Sequence, residues 1–361
     1  MSENDNNNSN KKSYTHTRST ARRAHRLPQK YLIAIAVVAV LVLLYIGSFF
    51  KGCGKPEGMV YVPKHATTEM VVDSIRKHCG DDMAGKVKTL LLFNSVDWEK
   101  RVGAYKVGPE TSAFKLARRL HSGAQSPVRV AFTNVRTMDQ LARIFDRKLQ
   151  MSRDEFLKVA YSDSTLHMLG NIKREELPAF FIPDTYEFYW GVSPKRLIST
   201  MHDCYDRYWT DERKQKAEAE GLTPIEVSTI ASIVQEETAS AKEYPKVARL
   251  YINRYKKGMR LQADPTVKFA IGDFSIRRIT GEMLKTDSPY NTYRVTGLPP
   301  GPIRFATKSG LDAVLNADKH DYLYMCAKED FSGTHNFATT YAEHMLNARR
   351  YQAALNARGI H

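Results

Sequence analysis

Two consecutive carboxylates, Glu236 and Glu237, close the segment TPIEVSTIASIVQEETAS, residues 223 to 240. Thr223 is a helix N-cap type and Pro224 suits the first helical position. Val227, Ile230, Ile233 and Val234 recur at helical spacing. Glu237 falls three and four residues beyond the last two, which puts its carboxyl on or beside the buried face. A carboxyl held against apolar packing has its charged form disfavoured, so it can stay protonated near neutral pH and serve as a general acid. The other reading is a solvated helix end, with Gln235, Glu236 and Glu237 all in water. Glu236 is turned by about 100° around the helix and is a poor second acid for the same site.

Other chemistries find little support. His320, His335 and His344 are too scattered for a ligand pattern, and His335 to His344 is not a helical metal pair; His335 in its Gly-Thr-His-Asn turn suits local hydrogen bonding. There is no Gly-rich phosphate loop, and no serine sits in a nucleophile elbow. The reading therefore assigns no metal and no cofactor. Glu243 and Glu343 are weaker candidates for an acid. Four cysteines in 361 residues exclude a disulfide-built scaffold. Lys51 and Gly52 ahead of Cys53 do not make a lipoprotein lead-in.

The acid needs a groove around it. A helix predicted to end at Gly258 leads into a polar run with Gln262, Asp264 and Thr266, and DSPYNTYRVTGLPPGPI, residues 287 to 303, supplies Ser288, Tyr290, Asn291 and Tyr293. Its prolines and glycines predict a stiff, exposed loop. AFFIPDTYEFYWG, 179 to 191, concentrates aromatic rings that either fill a core or floor a sugar groove. Helices are expected over roughly 195 to 220 and 223 to 239, after a helical, polar-rich stretch from 151 to 176. Ahead of these, MVYVP with TTEMVVDSIRKHC, then AYKVGPETSAFKLARRLHSG, then SPVRVAFTNVRTMDQLARIF read as three strand-helix passes.

Residues 31 to 50, YLIAIAVVAVLVLLYIGSFF, carry no charge and no proline between Lys30 and Lys51. Twenty helical residues rise about 30 Å, a bilayer's hydrocarbon thickness, so one retained transmembrane helix is expected. Lys11, Lys12, Arg18, Arg22, Arg23, Arg26 and Lys30 against Glu3 and Asp5 place the tail, expected to be disordered, on the cytoplasmic side and send the rest across. That position explains the basic tail by membrane lipid and topology rather than by nucleic acid. Of the +15 formal charge, ten remain beyond the tail, which suits an anionic surface or polymer.

The stretches FIPDTYEF, ASIVQEETASAKEYPKVARLYINRYKKGMRLQADPTVKFAIG, SPYNTYRVTGLPPGPI and YLYMCAKEDFSGTHNFATTYAEH resemble, in order and interval, the endolytic murein transglycosylase family. The resemblance implies an α+β fold with a single N-terminal transmembrane helix, a LysM-like glycan-binding unit, and a mixed α+β catalytic domain whose central helix carries the catalytic glutamate, here Glu237. It implies groove roles for Gln262, Asp264, Thr266, Ser288, Tyr290, Asn291 and Tyr293. The expected division is a basic cytoplasmic tail (1–30), the membrane helix (31–50), an extracytoplasmic region with the LysM-like unit (51–150) and the catalytic domain (151–361). The implied reaction cleaves the N-acetylmuramic acid to N-acetylglucosamine bond within nascent peptidoglycan strands, leaves 1,6-anhydro ends and terminates strand growth. The implied setting is the inner membrane, beside penicillin-binding peptidoglycan synthases. Two departures stand out: Gln235 occupies a position where many relatives have glutamate, and Leu177, Pro178 and Ala179 replace the usual Leu-Glu-Gly. The alternative to an enzyme is a membrane-tethered, non-enzymatic glycan-binding scaffold.

Overall fold

The computed structural model describes residues 28–93 and 95–359, and the chain divides after Lys51 into two compact units. The basic tail up to residue 27 lies outside the described residues. Helix α1 (Gln29–Ser48) buries none of its residues. Among the described residues it is the one helix long and apolar enough to cross a membrane.

The second unit is α+β. It opens with β1 (Gly58–Val62), α2 (Thr68–Cys79), α3 (Asp81–Leu92), β2 (Gly103–Val107) and α4 (Ala113–Ser122). β1 and β2 pair antiparallel, from Gly58 opposite Val107 to Val62 opposite Gly103. Val60 and Val62 alternate inward on β1, and Val71 and Ile75 of α2, Val87 of α3 and Leu116 of α4 are buried with them. Thr67 and Ser112 cap α2 and α4 through their hydroxyls. The first two strand-helix passes therefore share one small sheet; α3 between them is an element that the sequence reading did not single out.

The third pass, β3 (Val128–Ala131) and α5 (Met138–Lys148), is followed by α6 (Arg153–Ala160), α7 (Asp163–Met168), a 3-10 turn at Arg174–Phe180 and β4 (Thr185–Phe188). β3 pairs antiparallel with β4, Val128 opposite Phe188. Then come α8 (Pro194–Tyr208), α9 (Asp211–Ala219), α10 (Pro224–Glu237), α11 (Tyr244–Lys256), α12 (Asp264–Ile271), α13 (Lys308–Leu315), the antiparallel hairpin β5 (Tyr324–Ala327) and β6 (His335–Ala338), and α14 (Tyr341–Ala357). One continuous hydrophobic core runs from Val130 to Leu315. The helix expected over 195 to 220 is broken because Thr210 stops it and caps a new one, its hydroxyl accepting from the Arg213 N–H.

At the centre of this core α10 is buried on every side from Val227 to Gln235, rather than along a stripe. Its polar residues are compatible with burial because they bond back to their own helix: the Ser228, Thr229 and Ser232 hydroxyls donate to the carbonyls of Pro224, Ile225 and Thr229. The aromatic segment 179 to 191 is mainly core, with Phe180, Phe181 and Phe188 buried and the Tyr186 hydroxyl donating to the Ile182 carbonyl. Trp190 packs against Tyr61 of β1.

The Pro-Gly loop expected to be exposed is instead largely internal from Gly301 to Ala306. Apolar and side-chain-free residues can be buried there because their backbone is satisfied: the Ile303 N–H donates to Ser232 Oγ at 3.0 Å and the Phe305 N–H to the Val135 carbonyl at 2.9 Å. Gly301 lies flush against the turn at Arg174–Phe180, where an added Cβ would stand 1.9 Å from the Glu175 carbonyl oxygen. Gly301→Ala is expected to lower stability by about 1–3 kcal/mol through overpacking. At Gly281 an added Cβ meets nothing within 4 Å, so Gly281→Ala should stay within about 0.5 kcal/mol of wild type. Urea unfolding of the two variants measures both.

Candidate active site

Helix α10 delivers two carboxylates to opposite fates. Its start is fixed by a capping box, in which the Glu226 N–H donates to the Thr223 hydroxyl and the Thr223 N–H to the Glu226 carboxylate. At its far end Glu236 turns toward two guanidiniums, accepting from Arg136 Nε at 3.0 Å and Nη2 at 2.9 Å and from Arg304 Nη1 at 3.0 Å. One residue later Glu237 turns into a cavity of about 440 Å³. There it receives one hydrogen bond, from the Tyr251 hydroxyl to Oε1 at 2.7 Å. Burial pushes the Glu237 carboxyl up to about 7, with Asp264 and Glu236 raising it further and Tyr251 and Lys268 opposing. Desolvation is the largest cause, and among the described residues no cation is ion-paired with Glu237.

Gln235 is a clasp between helices. Its Nε2 donates to the Thr307 hydroxyl at 2.7 Å and its Oε1 accepts from the Thr307 N–H at 3.0 Å. Thr307 caps α13, and Gly310 on that helix leaves no room for a Cβ beside the amide.

Gln262, Asp264 and Tyr293 line the cavity with Glu237. Gln262 has φ +51°, and its Oε1 accepts from Arg254 Nη2 at 2.6 Å. The Tyr293 hydroxyl donates to Asp264 Oδ1 at 2.6 Å, and burial followed by that bond pushes the phenol well above its ordinary range. Behind this wall Thr266 is fully buried; its hydroxyl donates to the Ala263 carbonyl and pairs with the Thr292 hydroxyl at 2.8 Å. Asn291 is also fully buried, donating to the carbonyls of Leu284 and Thr286 and accepting the Tyr293 N–H. Ser288 accepts the Tyr290 N–H within the same turn. These three hold the loop that presents Tyr293. Tyr290 faces elsewhere, packing at a tilt against Phe269 at the edge of a second cavity.

The cavity also gathers residues to which the sequence reading gave no role in the groove. Tyr251 and Arg254 come from α11, Tyr324 from β5, His335 from β6, and Tyr341 and His344 from α14. Only the helical spacing Tyr251 to Arg254 was a signal available in the sequence; the others come from a hairpin and helix nearly a hundred residues further on. His335 is held rigidly by Glu243, to which it donates its backbone N–H at 2.9 Å and its ring Nδ1–H at 3.1 Å, while the Thr238 hydroxyl donates to the same carboxylate at 3.0 Å. Glu243 is thus spent on orienting an imidazole. His344 stacks on Tyr324, and burial beside Arg254 depresses its pKa. Glu343 accepts the Thr339 and Thr340 N–H groups at the start of α14. Among the described residues no group of three or more His, Cys, Asp or Glu is placed to hold a metal ion.

Residues 60–350 match the YceG-like family, and the chain belongs to that family. It is 34% identical over 206 residues to the endolytic murein transglycosylase of Bacillus subtilis, covering 55% of each chain. It is 24% identical over 326 residues to the endolytic murein transglycosylase of Streptococcus pneumoniae D39, covering 81% of this chain and 58% of the relative. The chain thus spans a little more than half the length of the curated relatives it matches. A crystal structure of a YceG-like protein from Listeria monocytogenes superposes with a TM-score of 0.54 at 25% identity, over 81% of this chain and 99% of that one.

The raised carboxyl has a thermodynamic consequence. An unfolded glutamate titrates near about 4.3, whereas folded Glu237 titrates at about 7. Between those values the folded state binds the extra proton, so stability falls as pH rises through the window. The loss is complete above about 7 and amounts to at most about 4 kcal/mol. Glu237→Gln should therefore gain on wild type in urea unfolding between about pH 4.5 and pH 8; a difference independent of pH would mean that the carboxyl is not shifted.

Proposed function

We propose that the chain is a membrane-anchored endolytic murein transglycosylase in which Glu237 is the single acid and base. The observation that carries this reading is a carboxyl in a cavity, pushed by burial up to about 7, on the helix that the core is built around. The substrate is the bond between N-acetylmuramic acid and N-acetylglucosamine within a peptidoglycan strand. Protonated Glu237 donates to the glycosidic oxygen as the C1–O bond breaks. The carboxylate left behind then takes the proton from the muramic C6 hydroxyl as that oxygen attacks C1. The product is a 1,6-anhydromuramic end, and Glu237 is returned protonated.

A hydrolytic route with two carboxylates and an entering water is less well supported. Glu236, the nearest acid in sequence, is bound by Arg136 and Arg304. Tyr251 aims the Glu237 carboxyl, and Gln262, Asp264, Tyr293 and His335 supply polar contacts that hold the sugars and bring the hydroxyl close. The residues behind the wall, Thr266, Ser288 and Asn291, act through the loop.

The wider assignment follows the same reading. Residues 51–150 include a LysM-like glycan-binding unit, for which the β1-α2-α3-β2 arrangement with one antiparallel pair is the support, and residues 151–361 form the catalytic domain. α1 anchors the chain with residues 52 onward outside the cytoplasmic membrane, beside the penicillin-binding synthases whose strands it terminates.

The purified full chain carrying Glu237→Gln should still bind uncrosslinked glycan strands and release no anhydro-ended fragments. Mass spectrometry distinguishes the routes, since an anhydro end is one water lighter than its hydrolytic counterpart. Undiminished cleavage by the variant rejects the assignment. For wild type, kcat/KM should fall about tenfold per pH unit above about 7, where the free enzyme loses the proton it must donate. A profile flat to pH 9 contradicts an acid with the pKa of Glu237.

A further inference from the structure

Helix α12 begins at Asp264, in the wall of the Glu237 cavity, and carries Phe269 into a second cavity of about 360 Å³. Five residues separate them, about 7.5 Å along the helix axis, a distance on the scale of a sugar ring or two. A small cavity between them is lined by Glu236, Pro265, Lys268 and Arg136, and Arg136 also lines the second cavity. Lys268 lies close enough to Glu237 to oppose the rise in its pKa. Three hollows thus touch one helix, with Asp264 and Phe269 turned about 140° apart round it, and the Arg136–Glu236 ion pair lines the small one.

The second cavity has the chemistry of a binding surface. Phe269 and Tyr290 pack with their rings tilted at 49° and centroids 4.7 Å apart, and both are partly open to solvent. Across from them the exposed Arg174 lies 4.4 Å over the ring of Tyr161. Among the described residues no carboxylate is ion-paired with Arg174, although Glu175 stands at the rim. The turn that carries Arg174 is held in place by the close approach of Gly301 to Glu175. Flat apolar rings beside a pre-oriented guanidinium suit a sugar face that carries a carboxylate.

We propose that this cavity is a second saccharide site, taking an acidic amino sugar whose ring lies on Tyr161, Phe269 and Tyr290 and whose lactyl or peptide carboxylate pairs with Arg174. The inference rests on the function proposed above and deepens it. A strand that fills both cavities is held at a second point away from the bond under Glu237, which favours an internal cut of a polymer over release of a terminal sugar.

The test uses the full chain carrying Glu237→Gln, so that strands are bound and not consumed. The probes are soluble peptidoglycan strands with free carboxyl groups and the same strands with those groups amidated. Adding Arg174→Ala should weaken binding of the carboxylate strands about tenfold, the scale of one charge-assisted hydrogen bond, and leave the amidated strands unchanged. Arg174→Lys should recover part of the loss, and Tyr161→Ala should weaken both probes. Arg174 is exposed, and an unchanged far-ultraviolet circular dichroism spectrum verifies the fold of each variant. Equal binding of the carboxylate strands with and without Arg174→Ala, or an equal loss for both probes, overturns the second site and leaves the assignment of Glu237 standing. Continued cleavage by Glu237→Gln overturns that assignment instead, and absence of strand binding by the parent overturns both.

Discussion

A half-buried carboxyl with no ion-paired cation among the described residues is the constraint around which this protein is arranged. Glu236 and Glu237 are neighbours in sequence, yet about 100° of helical turn sends them into different surroundings. Arg136 and Arg304 converge on the first. The second has one phenol, from Tyr251, and a cavity. The same two guanidiniums that satisfy Glu236 are thereby kept away from Glu237, and this separation allows burial to dominate its protonation. A salt bridge to Glu237 would hold it charged and remove the acid.

Holding a partly desolvated carboxyl in place costs stability, and the rest of the fold offsets that cost. α10 is enclosed on all sides from Val227 to Gln235, its hydroxyls bonded to its own carbonyls and its amide at Gln235 clasped to the cap of α13. The segment from Gly301 to Phe305 threads past it, donating to Ser232 and pairing Arg304 with Glu236. On the far side, the Thr266–Thr292 and Asn291 hydrogen bonds fix the loop that carries Tyr293. These bonds hold the groups that open on the site, as preorganisation of a reacting group requires.

Much of this was legible in the sequence, for local reasons. Thr223-Pro224 marks the start of α10, and the apolar spacing carries it to Glu237; the three strand-helix passes and their Thr or Ser caps are also local signals. What could not be read is what depends on distant partners. Tyr251 reads as one more apolar position of α11 until α10 is laid against it. His335 and Tyr324 become part of the wall only because the β5–β6 hairpin folds back on α11. The Pro-Gly loop looked exposed because its residue types favour turns, whereas its burial depends on hydrogen bonds to Ser232 and Val135, far away in the chain. For Thr266 and Asn291 the resemblance implied groove roles, whereas their burial directs Thr266 to the Ala263 carbonyl and Thr292, and Asn291 to the backbone of Leu284, Thr286 and Tyr293.

The central claim is the protonation of one side chain, and it can be observed without any substrate. With glutamate side-chain carboxyls labelled with carbon-13, comparing wild type with Glu237→Gln identifies the resonance of Glu237, and its chemical shift can be followed through a pH titration. The account predicts a midpoint at about 7. A midpoint near about 4.3, that of an ordinary exposed glutamate, would contradict it.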